Sequence, residues 1–257
     1  HLCLAAQPLG LPVVWTAHLL WESKSLVSRE AARRLCDRVL AVSEFVAGSL
    51  RRAGAVPEER LRVVPLGVDT QRFAPERGRP GGWQRWGVGE DERVVVSLVR
   101  FQKVKGLDLM LAVARLLLQE RPKVRLAMVG DYLRGDEEEK EYGERVAAAI
   151  EGDQVLRAGV VRVPFQETPE ELLAAADVYL CTSEVETFAQ AVVEAMSCGL
   201  PVVLTDCGGP TETVLDGETG LVAKSGQAED LAEAVGRLLD DQGLRRRMGE
   251  RARQRAV

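Results

Sequence analysis

The sequence has few histidines and no closely spaced cysteines, and each shortage argues against a class of chemistry. Only His1 and His18 occur among 257 residues, without an H-x-x-x-H or Cys/His cluster, so the pattern does not favour a protein-ligated zinc site. The five cysteines are scattered without C-x-x-C spacing, which is typical of free buried thiols in a reducing cytosol. A nucleophilic cysteine would need a neighbouring base, and two histidines give no support for one.

An excess of positive charge and long apolar runs are also absent. The net charge is −5, whereas nucleic-acid-binding domains carry a basic balance, so we expect no nucleic-acid partner. No run of about 18 apolar residues occurs, and the sequence therefore predicts no membrane-spanning helix. The chain begins at His1 rather than at a methionine, and we expect it to be a fragment of a longer protein.

Apolar runs alternate regularly with helical patterns, which is typical of parallel α/β architecture. Strands are predicted at residues 11–16, 38–42, 62–65, 94–99, 124–129, 155–161, 178–180 and 201–204. Helices are predicted at residues 28–36, 44–53, 107–118, 136–145, 169–175, 189–197, 228–239 and 243–255. The segment 136–145 is so rich in charge that we expect a solvated helix.

A stretch rich in proline and glycine, residues 67–82, interrupts both periodicities. We place a domain boundary there, with one domain at residues 1–75 and a second at residues 76–257. The first domain contains about three predicted strands, too few for a complete Rossmann-like domain, whereas the second is nearly complete.

Two glutamates, Glu186 and Glu194, lie eight positions apart across a predicted loop-to-helix junction. Allowing about 1.5 Å rise per helical residue, they would stand roughly 8–12 Å apart, which suits the two ends of an extended nucleotide-sugar. A carboxylate that accepts hydrogen bonds from vicinal hydroxyls is a common way to hold a ribose. Glu194 lies among apolar neighbours, so its charge needs a partner, either a ribose or an arginine.

This segment resembles the E-x7-E signature of the retaining glycosyltransferases of family 4, which have the GT-B fold. Other segments are similar to landmarks of that family in the expected order, namely PLGVDTQRF at 65–73, R-x4-K-G beginning at Arg100, MVGD at 128–131, GGPTE at 208–212 and DGETG at 216–220. The matches cover roughly residues 12 to 240. The resemblance implies an α/β GT-B fold of two Rossmann-like domains, the N-terminal one incomplete and the C-terminal one nearly complete.

The resemblance also implies roles for single residues. Arg100 and Lys105 would bind the departing nucleoside diphosphate. Glu186 would contact the transferred sugar, Glu194 the ribose hydroxyls, and His18 the donor sugar or its transition state. The residues that we expect to be catalytic are Glu186, Arg100, Lys105 and His18. The residues that we expect to bind the donor are Arg100, Lys105, Glu186, Phe188, Ala189, Gln190 and Glu194.

The loop before the predicted helix departs from the family at two positions. In the family, a glycine lies on each side of an aromatic residue in this loop. Here the aromatic residue is Phe188, Thr187 replaces the glycine before it, and Ala189 replaces the glycine after it. If the loop requires a positive φ or a close backbone approach to the sugar, an alanine costs about 1 kcal/mol or more.

The activity that the resemblance implies is a metal-independent, retaining transfer of a sugar from a nucleoside-diphosphate-sugar to an unidentified acceptor, which is a glycan, a lipid or a small molecule. It implies no cofactor, because the nucleotide-sugar is a substrate. It also implies a cytoplasmic location, with peripheral membrane contact through N-terminal residues that precede this chain. Two alternatives stay open: a nucleotide-sugar epimerase of GT-B fold, and a non-catalytic nucleotide-sugar-binding fragment.

Overall fold

The computed structural model describes residues 10–21, 26–78, 81–223 and 226–257, which form two compact units. The smaller unit consists of His1–Gly67, Glu186–Ala189 and Gly208–Glu212. The larger unit consists of Val68–Val185, Gln190–Cys207 and Thr213–Val257. The domain division predicted at residues 75 and 76 stays a prediction.

The smaller unit is built on a parallel sheet of three strands in the order β1-β2-β3. Its strands and helices are β1 (Val14–Ala17), α1 (Leu26–Leu35), β2 (Arg38–Ala41), α2 (Glu44–Arg52) and β3 (Leu61–Val63). Ser43 caps α2 as its position in the sequence predicts, because its side chain accepts a hydrogen bond from the Val46 amide at 3.1 Å.

The larger unit is built on six parallel strands in the order β6-β5-β4-β7-β8-β9. They are β4 (Arg93–Leu98), β5 (Val124–Val129), β6 (Val160–Val163), β7 (Val178–Cys181), β8 (Val202–Thr205) and β9 (Gly220–Ala223). Numbered from β4, this is the order 3-2-1-4-5-6 of the doubly wound dinucleotide-binding sheet. The direction of winding reverses between β4 and β7, and such a switch point is where open α/β sheets bind ligands.

Helices cover this sheet on both faces. They are α3 (Leu107–Glu120), α4 (Glu137–Gly152), α5 (Gln154–Gly159), α6 (Glu170–Ala174), α7 (Gln190–Ser197), α8 (Ala228–Asp240) and α9 (Gln242–Ala256). As its apolar composition predicts, α3 is deeply embedded, and its Leu107, Met110 and Leu117 are 1% exposed or less. These side chains pack with those of β4 and β5 in one continuous core, which fixes the start of α3 against the sheet.

The strand predicted at residues 155–161 is wrong, because Gln154–Gly159 forms the helix α5 and β6 begins only at Val160. The carboxylate of Asp153 caps this helix by accepting hydrogen bonds from the amides of Val155 at 2.9 Å and Leu156 at 3.0 Å. A short apolar run is compatible with a buried strand or a buried helix. Here the Asp153 carboxylate favours the helix, because it satisfies the first amides of the helix. The sequence analysis also missed β9.

The solvated helix predicted at residues 136–145 is wrong in one respect. The helix forms, but as α4 it continues to Gly152 and buries one face, which consists of Glu139, Tyr142, Gly143, Val146 and Ile150. These residues recur at spacings of three and four, so a packed stripe runs beneath the charged surface.

Four cysteines, Cys36, Cys181, Cys198 and Cys207, are free and buried, and Cys3 lies outside the described residues. Burial raises the pKa of the Cys198 thiol to about 12, so this thiol stays neutral near pH 7. In the part of the chain that the structure describes, no helix is long and apolar enough to cross a membrane. In the same part, no group of three or more histidine, cysteine or acidic side chains is arranged to hold a metal ion.

Candidate functional site

A cavity of about 570 Å³ opens in the larger unit where β4, β5 and β6 end and α7 begins. Its lining residues are Leu98, Val99, Arg100, Val129, Gly130, Asp131, Tyr132, Leu133, Phe165, Gln166, Pro169, Gln190, Ala191 and Glu194. Three residues predicted to bind the donor, Arg100, Gln190 and Glu194, thus line one cavity. Its volume lies in the range of small-molecule sites in proteins.

Glu194 lies on α7 and faces this cavity with a half-buried side chain. Burial raises the pKa of its carboxyl group, and the positive charge of Arg72 acts in the opposite direction. The guanidinium of Arg72, however, donates to the carbonyl of Glu167 at 2.6 Å and to Glu170 at 3.0 Å. Within the described ranges the Glu194 carboxylate accepts no hydrogen bond, so it is available to a ligand in the cavity.

Arg100 follows β4 and is paired with Glu139 of α4. Its Nε donates to Oε2 of Glu139 at 2.9 Å, and its Nη2 forms a second, short contact with Oε1. The side chain of Arg100 is 41% exposed, whereas that of Glu139 is only 6% exposed. The amide of Leu133 also donates to Glu139 at 2.9 Å. Arg100 therefore lines the cavity while Glu139 binds one edge of its guanidinium.

The ion pair of Arg100 and Glu139 makes the free energy of unfolding depend on pH. Hydrogen bonds from Arg100 lower the pKa of Glu139 from 4.5 to about 2, so the pair stabilises the fold above pH 4.5 and is lost as the pH falls towards 2. We expect Glu139→Gln to lower the free energy of unfolding near pH 6 by about 2 kcal/mol, a value reduced for the solvent exposure of Arg100. Urea unfolding at pH 6, 4 and 3 measures this, and the difference from the parent protein should shrink with each step. A difference independent of pH would contradict the assignment.

Lys105 ends the short 3₁₀ turn Lys103–Lys105, directly before α3. Thr182, which follows β7, donates its hydroxyl hydrogen to the carbonyl of Lys105 at 3.1 Å. Gly106 has a φ of 65°, and a Cβ atom there would lie 2.1 Å from the Thr182 carbonyl oxygen. The loops after β4 and β7 therefore touch at the switch point, and Lys105 lies where the amino terminus of α3 meets them. Lys105 is not among the residues that line the cavity.

The other predicted site residues, His18, Glu186, Phe188 and Ala189, belong to the smaller unit. His18 follows β1 and is exposed. Glu186 is half-buried, and its carbonyl accepts a hydrogen bond from the Gly209 amide at 2.9 Å. Phe188 is 6% exposed, as is typical of a packing residue.

The segments 186–189 and 208–212 are bound to the amino terminus of α2. The hydroxyl of Ser43 donates to the carbonyl of Thr187 at 2.6 Å. The carboxylate of Glu212 accepts from the amides of Glu44 at 2.8 Å and Phe45 at 2.6 Å, which satisfies two first-turn donors of the helix. A Cβ atom at Gly209 would lie 2.0 Å from the Thr187 carbonyl oxygen, so only glycine permits this approach.

Ala189 has a φ of 60° and is the single non-glycine residue with a positive φ in the described part of the chain. The left-handed region costs an L-residue with a Cβ atom about 1–2 kcal/mol. The conformation that the sequence analysis considered for this loop is therefore present, with alanine in place of glycine. The residue directly precedes α7, which begins at Gln190.

We expect Ala189→Gly to raise the free energy of unfolding by about 0.5–1 kcal/mol, because relief of the left-handed strain outweighs the added entropy of the unfolded chain. The matched control is Ala191→Gly, two positions later in the first turn of α7, which should lower it by up to about 1 kcal/mol. Chemical denaturation of the three proteins measures both changes. Destabilisation by both substitutions would contradict the strain at Ala189.

Sequence reasoning missed Glu139 and the exposed apolar rim of the cavity. Phe165 and Leu133 are 70% and 52% exposed, and both line the cavity. A signal for Glu139 does exist, because Tyr142, Val146 and Ile150 follow it at helical spacing on one face. No signal in the sequence marks Phe165 as a rim residue, because exposure of an apolar side chain depends on the tertiary fold.

Comparisons with known proteins identify the family of the chain. Residues 84–255 match the family model described as Glycosyl transferases group 1, and residues 1–72 match the model described as Glycosyltransferase Family 4. A D-inositol 3-phosphate glycosyltransferase of Streptomyces scabiei is 30% identical over 97% of this chain and 59% of its own length. A GDP-mannose-dependent alpha-(1-6)-phosphatidylinositol monomannoside mannosyltransferase of Mycolicibacterium smegmatis is 35% identical over 90% of this chain and 61% of its own length. The chain thus spans about three fifths of the length of these relatives.

Solved structures confirm the fold class. The HepE protein of Anabaena, solved in complex with UDP, has a TM-score of 0.83 at 25% identity, covering 99% of this chain and 70% of that one. A glycosyltransferase of Rickettsia africae has a TM-score of 0.87 at 21% identity, covering 99% of this chain and 68% of that one. The predicted α/β fold of the GT-B type is therefore confirmed.

Proposed function

Because this chain belongs to the glycosyl transferases of group 1, we propose that it contributes the donor site of an enzyme that moves a sugar from a nucleoside-diphosphate-sugar to an acceptor. The observation that carries the proposal is the Glu194 carboxylate, half-buried without a hydrogen-bonding partner among the described residues, in a cavity that Arg100 also lines. A buried carboxylate is stabilised when it accepts hydrogen bonds, and the vicinal hydroxyls of a ribose offer two donors.

The diphosphate of the donor is assigned to Arg100 and Lys105. Arg100 offers a planar fork of donors, whereas Lys105 adds a compact charge beside the amino terminus of α3. A helix amino terminus at the switch point of a parallel sheet favours phosphate oxygens, since its first amides point outward and its dipole is positive there. Gln190 opens α7 on the same cavity wall and is proposed as a further polar contact to the donor.

The proposed chemistry separates charge between the two products of bond cleavage. The departing diphosphate gains negative charge, which Arg100 and Lys105 stabilise as preorganised cations. The sugar ring gains positive character, and Glu186 is proposed to lie near it and orient its hydroxyls. The acceptor attacks from the face that the diphosphate leaves, which retains the anomeric configuration, and two basic residues neutralise the leaving group without a metal ion.

The remaining predicted residues keep narrower roles in this proposal. His18 is proposed to contact the donor sugar, and its exposure after β1 is compatible with such a contact. Because the side chain of Phe188 is buried, Phe188 and Ala189 are proposed to act through their backbone groups. A cytoplasmic location with peripheral membrane contact stays a prediction.

The relatives leave the base of the donor open. The Mycolicibacterium relative is named for GDP-mannose, whereas the Anabaena structure contains UDP. Calorimetric titration of the protein with UDP, GDP and ADP tests the proposal and identifies the base, and tight binding of one nucleotide is expected. Absence of binding by all three would overturn the proposal.

Turnover is tested separately with the matching nucleotide-sugar, and release of the nucleoside diphosphate is followed with and without D-inositol 3-phosphate, the acceptor for which a relative is named. Release that depends on an acceptor supports transfer. A modified sugar nucleotide formed without any acceptor would indicate an epimerase, and binding without any turnover would indicate a non-catalytic module.

A further inference from the structure

We propose that Glu139 is a positioning residue, which holds the guanidinium of Arg100 in the orientation that binds the diphosphate of the donor. The inference rests on the proposed function of Arg100. Glu139 lies on α4, outside the cavity and outside every motif that the sequence analysis identified, and it acts only through Arg100.

The geometry of the pair carries this inference. Two donor groups of Arg100, Nε and Nη2, meet the two carboxylate oxygens of Glu139, which is the side-on bidentate arrangement of an arginine with a carboxylate. This arrangement fixes the plane of the guanidinium as well as its position. Arg100 donates to no other acceptor among the described residues, so the donors on the other edge of the fork, including Nη1, are left for a ligand in the cavity.

Glu139 itself is held firmly, as a positioning residue must be. It is 6% exposed and also accepts hydrogen bonds from the Leu133 amide and from the side chain of Gln102. Its own amide donates to the Asp136 carboxylate at 3.0 Å, so it is part of the capped first turn of α4. Because these hydrogen bonds fix Glu139, the position of α4 determines the position of the Arg100 guanidinium.

The same helix supports the second phosphate-binding element. One turn after Glu139, the hydroxyl of Tyr142 donates to the Asp108 carboxylate at 3.0 Å and accepts from the Asp108 amide at 3.3 Å. Asp108 lies in the first turn of α3, two positions after Gly106. The buried face of α4 therefore contacts both Arg100 and the start of α3, which indicates that this face organises the phosphate end of the site.

A simpler electrostatic view predicts the opposite effect of Glu139 on binding. A carboxylate next to Arg100 reduces the positive potential of the site, so its neutralisation alone would tighten the binding of a diphosphate. Positioning predicts weaker binding, because an unconstrained arginine loses side-chain freedom when the ligand binds. The sign of the change in affinity therefore separates the two views.

The experiment is a double-mutant cycle measured by calorimetric titration with the nucleoside diphosphate that binds the parent protein most tightly among UDP, GDP and ADP. We expect Glu139→Gln to weaken binding by about five- to tenfold. In the background of Arg100→Ala, the same substitution should change the affinity by less than about twofold, because its effect is transmitted through Arg100. Binding of the matching nucleoside, which lacks phosphate, should not change.

Three further variants make the result interpretable. Glu137→Gln removes an exposed carboxylate from the same turn of α4 and controls for charge. Ile150→Val loosens the buried face of the same helix about three turns away and controls for packing. Both should leave affinity unchanged. Glu139→Asp keeps the charge with a shorter reach, and should weaken diphosphate binding in the same Arg100-dependent way if Glu139→Gln does not fold.

The outcomes are distinct. If Arg100→Ala leaves diphosphate affinity unchanged, the proposed function of Arg100 fails and the role of Glu139 fails with it. If Arg100→Ala weakens binding but Glu139→Gln leaves it unchanged or tightens it, only the positioning role is overturned. An equal loss from Glu139→Gln with and without Arg100 would assign Glu139 to the general stability of α4 instead.

Discussion

Replacement of Lys105 by alanine is expected to lower kcat/KM for sugar transfer by about 10²–10³-fold, the range found when one preorganised charge-stabilising group is removed from an active site. Lys105 is assigned to the leaving diphosphate, on which negative charge grows as the glycosidic bond breaks. The residue lies directly before Gly106 and the first turn of α3, where the helix dipole favours negative charge as a lysine does.

The local structure distinguishes Lys105 from the neighbouring lysine, Lys103. The hydrogen bond from Thr182 to the Lys105 carbonyl and the close approach at Gly106 fix the backbone at Lys105 and at the residue that follows it. Lys103, in the same 3₁₀ turn, is exposed and is the matched control. Lys103→Ala should change kcat/KM by less than about threefold, because exposed charges interact weakly in water.

The measurement is the initial rate of nucleoside diphosphate release at donor concentrations below KM, for the parent protein and both lysine variants. Lys105→Arg, which keeps the charge but changes its geometry, should lie between the parent and the alanine variant. Full activity of Lys105→Ala, or equal losses in the two alanine variants, would remove Lys105 from the leaving-group site.

Glu194→Gln is expected to weaken nucleotide binding by about 10²-fold, since two hydrogen bonds to a charged acceptor contribute about 1.5–3 kcal/mol each and the amide oxygen replaces them only in part. The amide has nearly the shape of the carboxylate, so the cavity is kept. Glu170→Gln is the control, because Glu170 also acts electrostatically on Glu194 but does not line the cavity. Calorimetric titration should give Glu170→Gln an affinity within about threefold of the parent protein.

The same substitution should stabilise the protein without ligand. Burial raises the pKa of Glu194, so the folded state binds more protons than the unfolded state between about 4.5 and the raised value, and stability falls as the pH rises through this window. Glutamine does not titrate, and its advantage should appear above the window and vanish below it. Urea unfolding at pH 7 and pH 4 measures this. A variant that loses both affinity and stability at pH 7 would indicate a structural carboxylate.

The sequence predicted most of what depends on local pattern. Continuous apolar runs gave β4 and β5 almost residue for residue, and Ser43 was identified as a cap because a short hydroxyl side chain before an apolar helix satisfies its first amides. Arg100, Gln190 and Glu194 came together because the carboxyl ends of parallel strands share one edge of a sheet.

What the sequence did not predict depends on tertiary contacts or on local competition. The apolar run after Asp153 forms α5 because this aspartate caps the helix. Residue propensities alone do not predict this, since the β-branched residues of the run favour a strand. Glu139 was hidden among exposed charges of the same helix, because burial of one carboxylate requires the partner Arg100, which lies 39 positions away. The sequence predicted strain at Ala189 only if the loop required a positive φ there. Whether it does depends on the segments around this residue, because they determine its φ.

The anchoring of residues 186–189 and 208–212 on α2 has a consequence for the construction of chimeric enzymes. A swap of residues 1–67 for those of a relative would break a packing unit that is discontinuous in the chain, since Thr187, Gly208 and Glu212 contact Ser43, Phe45 and the amides of Glu44 and Phe45. The incoming α2 would then face a carboxylate and a glycine selected for another helix. Exchange of this unit between relatives therefore requires three segments to be transplanted together, two of them only four and five residues long.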